Sequence, residues 1–151
     1  MKNFCIAFVL MLVMAAGAFA QMPLGLYGQI PFRTGNTAAD TATLVSGQMS
    51  GLLTGTPTAA ANYTTPTATQ LCALFPFVKS GANTGFWWDM WVKNTSAGAN
   101  TITVVAGSGV TVVGTATIAQ NALKHFRIVL NQCGPTVTPA AQVISLGTST
   151  F

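Results

Sequence analysis

The stretch that decides the fold is Gly85 to Leu130, GFWWDMWVKNTSAGANTITVVAGSGVTVVGTATIAQNALKHFRIVL. Its apolar residues recur with a period of two and are interrupted by turn residues, the pattern of four or five consecutive strands. Phe86, Trp88, Met90 and Val92 alternate with Trp87, Asp89, Trp91 and Lys93, so one strand carries large side chains on both faces. Farther on, Phe126, Ile128 and Leu130 share one face, with His125, Arg127 and Val129 on the other. Between them, Ile102 to Val105 and Val110 to Val113 flank Ala106-Gly107-Ser108-Gly109, which predicts a β-hairpin. Almost every strand position that would face water holds Thr, Ser, Asn or Trp instead of a charge.

Upstream of this block, Thr67 stands three residues before Gln70, the spacing of a capping box. Leu71, Leu74 and Phe75 follow at helical spacing until Pro76, so a helix of about two turns is expected, its apolar side against the sheet. Downstream, Val143, Ile144 and Leu146 can add a last strand. The fold class is therefore all-β, a β-sandwich (jelly-roll-like) with one short helix, occupying residues 43–151.

The chain opens with Lys2, an uncharged apolar run and the small-residue end AAGAFA, which reads as a secretory signal peptide over residues 1–20. A retained N-terminal anchor is the alternative. Residues 21–42 form an extended segment in which Leu24, Leu26, Ile30 and Phe32 fall on even positions. As a strand it would show these four on one face, which makes it a candidate donor strand for another subunit.

Composition narrows the function classes. Charged residues are 5% of the chain, against about 25% in ordinary soluble domains. After Ala20 the acids are Asp40 and Asp89, and the cations are Arg33, Lys79, Lys93, Lys124 and Arg127, five minus two or +3. No basic cluster is present, which argues against a nucleic-acid partner. A chain so poor in charge has little protection against association, so copies of itself are the expected partner. Once a signal peptide is removed, no membrane partner is expected.

Two cysteines follow the signal segment, Cys72 and Cys133, and an oxidising compartment lets them pair; two separate buried thiols are the alternative. Trp87 and Trp91 lie on the same strand face, either as a contact surface or glycan-stacking platform, or beneath loops. The sequons Asn62-Tyr63-Thr64 and Asn94-Thr95-Ser96 make Asn62 and Asn94 candidate glycosylation sites. Chemistry has few ingredients: two sequence-distant acids, a single histidine at His125, and serines in ordinary turns. No catalytic residue, metal site or cofactor is expected, and the chain reads as a non-enzyme.

PTAAANYTTPTATQL at Pro57 to Leu71, followed by VKNTSAGANTITVVAGSGVTVVGTATIAQNALKHFRIVL at Val92 to Leu130, resembles a β-sandwich domain of phage and giant-virus fibre and structural proteins. The resemblance runs from about Thr43 to Leu130 and implies assembly or attachment, with no catalytic residues to carry over. The signal peptide, and the lack of a collagen-like stalk, depart from the viral pattern and argue for secretion by a cell. The expected function is a secreted structural subunit that builds an extracellular filament or surface appendage by strand exchange. A virion fibre, spike or minor capsid protein is the alternative, and a carbohydrate-binding module is a third.

Overall fold

The alternating runs around Trp88 and Phe126 become two long, adjacent strands at the middle of one sheet, and the other described strands are arranged about them. The computed structural model describes residues 36–38, 40–75 and 81–151. The expected signal peptide, and the candidate contact residues Leu24, Leu26, Ile30 and Phe32, lie outside that range.

In chain order the strands are β1 (Asn36–Ala38), β2 (Ala42–Thr43), β3 (Gly51–Gly55), β4 (Ala61–Thr64), β5 (Gly81–Asn94), β6 (Ile102–Val105), β7 (Val110–Val113), β8 (Thr117–Ile118), β9 (Ala122–Cys133) and β10 (Ala140–Thr150). A short helix α1 (Ala68–Ala73) follows β4. One sheet has six strands in the order β1-β3-β5-β9-β10-β7, and the other four, β2-β4-β6-β8. The all-β sandwich with one short helix is thus present.

Its winding is a feature that periodicity does not predict. From β1 to β9 every connection carries the chain from one sheet to the other. As a result β1, β3 and β5 lie parallel in one layer and β2, β4 and β6 lie parallel in the other. Antiparallel pairing is confined to β5 with β9, β9 with β10, and β6 with β8. The sheets also begin earlier than the expected domain start at Thr43. β1 and β2 pair with β3 and β4 of their own chain, so the end of segment 21–42 belongs to the sandwich.

The expected hairpin is corrected by the same winding. Ile102–Val105 and Val110–Val113 are both strands, yet they lie in opposite sheets. The turn between them is fastened to the chain after β4 instead of closing on itself. Gly107 N donates to Thr65 Oγ1 at 2.8 Å, Thr65 N to the Val105 carbonyl at 2.9 Å, and Ala68 N to the Ser108 carbonyl at 2.9 Å. Gly107 is pressed so close to this segment that a Cβ would stand 2.8 Å from the Pro66 carbonyl oxygen.

The core fills the space between the layers. Leu53, Met90, Val92, Phe126, Ile128 and Leu130 enter from the six-stranded sheet, and Tyr63, Ile102, Val104 and Ile118 from the other. At Gly55 the layers meet closely, and a Cβ would sit 2.6 Å from Tyr63 Oη. Burial, with a smaller contribution from the Asp40 charge, pushes the Tyr63 hydroxyl up to about 12. Trp88 points inward and donates its indole N–H to the Met49 carbonyl at 2.7 Å.

The capping box forms as expected. Thr67 Oγ1 accepts from Gln70 N at 3.2 Å, and Gln70 Oε1 accepts from Thr67 N at 2.9 Å. Leu71 and Phe75 are buried and Leu74 is turned outward. A disulfide between Cys72 and Cys133, with a Cα separation of 5.6 Å, fastens α1 to the end of β9.

Candidate functional site

Strand parity brings the chemically distinctive side chains to the outer face of the six-stranded sheet. β5 presents Trp87, Asp89, Trp91 and Lys93, and the β5–β9 register sets them opposite Val129, Arg127, His125 and Leu123 respectively. Cross-strand neighbours of this kind lie about 5 Å apart at Cβ, close enough for direct contact.

The contacts form a ladder. Arg127 lies over the Trp87 ring at 3.7 Å from the centroid. Its Nε donates to Asp89 Oδ1 at 2.9 Å and its Nη2 to Oδ2 at 3.2 Å. His125 Nε2 is 3.4 Å from the same Oδ1, without a hydrogen bond. The imidazole in turn stacks on Trp91, with centroids 4.6 Å apart and planes 7° from parallel. Beyond it, the Lys93 ammonium lies over the Phe151 ring at 4.1 Å.

The electrostatics follow from these contacts. Partial burial pushes the Asp89 carboxyl up, but the Arg127 hydrogen bonds and charge, helped by His125, outweigh it and hold the group below the usual carboxylate range. The reciprocal hydrogen bond raises Arg127. Asp89 is therefore an ionised acceptor engaged through both oxygens. Asp40, the other acid, accepts from Thr58 N and Thr58 Oγ1 at 3.1 and 3.0 Å. The Thr58 backbone hydrogen bond, then the hydroxyl, lowers its pKa. Among the described residues no cluster of His, Cys, Asp or Glu could hold a metal ion.

The two tryptophans have different environments. Trp87 is 51% exposed, whereas Trp91 is half-buried under His125. Next to Trp91 a shallow groove of about 240 Å³ is lined by Trp91, Leu123, His125, Gly147, Thr148 and Ser149. Beside it β10 carries a bulge between Ser145 and Gly147, and a Cβ on Gly147 would meet nothing within 4 Å.

The sequons part company. Asn62 is exposed on the outer face of the four-stranded sheet, opposite Thr103 of β6. Asn94 is fully buried, which corrects its place among the glycan-bearing candidates. Its Nδ2 donates to the carbonyls of Asn100 at 2.9 Å and Ile118 at 3.1 Å, and its Oδ1 accepts from Ser96 N at 3.0 Å. A glycan on that nitrogen has no place in the folded chain.

Sequence reasoning did not bring His125 and Arg127 to the tryptophans, and it did not single out Gly147. Parity put His125 and Arg127 on an outer face, but the register that sets them against Trp91 and Asp89 is a tertiary fact. Another buried polar residue, Lys124, sits in phase with Phe126 and Ile128. Its Nζ donates to the Thr117 carbonyl at 3.2 Å, and burial lowers its pKa. Compared with known proteins, the chain matches no family model, no curated protein and no solved structure.

Proposed function

We propose that the chain is a secreted structural subunit whose copies associate into an extracellular filament or surface appendage. One observation carries the reading: each charged side chain among the described residues is engaged within the fold. Asp89 pairs with Arg127, Lys93 lies over Phe151, Lys124 is buried, and Asp40 is held by Thr58. The described residues hold only two acids and three cations, one of each joined in the Asp89–Arg127 pair, so repulsion between copies is weak. Uncharged side chains are also left for contact on both outer faces. The six-stranded sheet exposes Trp87 and Val113, and the four-stranded sheet carries Thr43, Asn62, Thr103 and Thr117. The Cys72–Cys133 disulfide supports export to an oxidising compartment.

Strand exchange is the proposed joint. Among the described residues β1 and β7 are the edges of the six-stranded sheet, each with a ladder partner on one side. Residues 21–35 lead directly into β1. Burying Leu24, Leu26, Ile30 and Phe32 of one copy on the next contributes of order 6 kcal/mol, at about 1.5 kcal/mol each, before the ordering cost. Such a contact is heterologous and propagates into an open filament unless its rotation closes a ring.

The test is to delete Gln21 to Gly35 behind an intact signal peptide and to image the secreted product beside the wild type. Short or absent filaments from the deletion alone support the joint, and undiminished ones refute it. A wild-type product that sediments as a monomer at every concentration refutes self-association altogether.

A further inference from the structure

We propose that the groove between Trp91 and the bulge of β10 is a binding site for a single neutral pyranose unit of a glycan. The dimensions come first. About 240 Å³ lies below the roughly 300 to 1,000 Å³ of sites that enclose drug-sized ligands, so the groove suits one small ring. Its walls are amphipathic, as a sugar is. Trp91 and Leu123 offer apolar surface to a pyranose ring, while Ser149, opposite Leu123 on the same outer face, offers a hydroxyl at the rim.

Charge selects a neutral ligand. The nearest acid is occupied by Arg127, and the nearest free-standing cation, Lys93, lies over Phe151. The lining itself carries no carboxylate, ammonium or guanidinium, so nothing in it pairs with a uronate or a phosphate. The aromatic wall is also preorganised. Trp91 is clamped by His125 at 4.6 Å and near-parallel planes, so little side-chain freedom is lost when a sugar docks. Gly147 keeps the groove open, since a Cβ there would project into space that no neighbouring atom occupies within 4 Å.

A site of this size gives an affinity in about the millimolar range for one subunit. It belongs to one chain and does not depend on whether copies assemble. The probes are cellohexaose, xylohexaose, mannohexaose, chitohexaose and, as the charged comparison, a galacturonate hexamer. Each is titrated into the mature protein while the indole N–H signals of Trp87, Trp88 and Trp91 are followed by NMR.

Saturable movement of the Trp91 signal with at least one neutral oligosaccharide is expected. Gly147→Leu should fill the groove and weaken that binding by about tenfold or more, with an unfolding midpoint like that of the wild type. Ser149→Ala should weaken it less and serves as the second variant if Gly147→Leu misfolds. The proposal is overturned if no neutral oligosaccharide moves Trp91, or if the galacturonate hexamer binds most tightly. Wild-type affinity in a folded Gly147→Leu protein overturns it equally.

Discussion

Replacing Asn94 tests whether one buried amide joins the two layers. Its side chain hydrogen-bonds the Ser96 N–H, the Asn100 carbonyl before β6 and the Ile118 carbonyl of β8, all from the last residue of β5. Asn94→Ala removes three hydrogen bonds worth about 1 kcal/mol each and leaves their partners unsatisfied in a site that excludes water. The expected loss is about 3 to 5 kcal/mol, a large share of the roughly 5 to 15 kcal/mol that holds a domain folded. Asn94→Asp should be at least as damaging, because a carboxylate oxygen would then face two carbonyl oxygens without a proton to share. The assay is urea unfolding followed by fluorescence, with the disulfide intact and Trp88 as a buried reporter. At a slope of about 1 to 3 kcal/mol per molar, the midpoint should fall by at least about 1 M. A drop below about 1 kcal/mol at unchanged slope would falsify the joining role.

Three further outcomes are expected. Cys72→Ala with Cys133→Ala should lower stability by roughly 4 kcal/mol in the chain-entropy model, given the separation of 61 residues, and a calorimetric change under about 1 kcal/mol would show the bond to be dispensable. Lys124→Met should raise the unfolding midpoint at neutral pH, because the lysine's folded pKa is depressed by burial and the charged form is disfavoured. In the wild type the same penalty fades as pH rises through the folded pKa toward the unfolded value near 10.4, so the advantage of the variant should shrink with alkali; an advantage that grows would contradict this. Asp89 titrates below its ordinary value when folded, so its contribution is present above about pH 4 and is lost as pH falls through the folded pKa. Asp89→Asn should therefore flatten the acid limb of the stability curve, and an unchanged limb would place the acid sensitivity elsewhere.

The legible parts of the fold were those that one strand or one helix turn decides. Alternation alone separated Trp88, Met90 and Val92 from Trp87, Asp89 and Trp91, and a Thr-Gln spacing alone started α1. The hairpin misreading had a different cause. Thr-Val-Val on either side of Ala106-Gly107-Ser108-Gly109 satisfies the local rule for a hairpin, but contacts to Thr65 and Ala68, some forty positions upstream, redirect the turn. Asn94 and Lys124 were detectable in principle, since both continue the inward phase of an apolar run. A polar residue in that phase signals a buried hydrogen bond, and for Asn94 this outweighs the sequon. The stacking of His125 on Trp91 depends on register between strands far apart in the chain, which periodicity does not encode.

The alternation of the chain between sheets also fixes the order in which the molecule can come into being. β5 takes one neighbour from earlier in the chain, β3, and the other from β9, whose Phe126 to Leu130 run completes the core. A chain emerging amino end first therefore displays β1 to β8 with the main partner of β5 still unmade. The β5–β9 pairing must wait for the last quarter of the polypeptide, and distant pairings of this kind make folding slow. During that interval the unpaired strands are open to neighbouring chains. The Cys72–Cys133 bond needs the last residue of β9, so β1 to β8 precede it in the chain and only β10 follows.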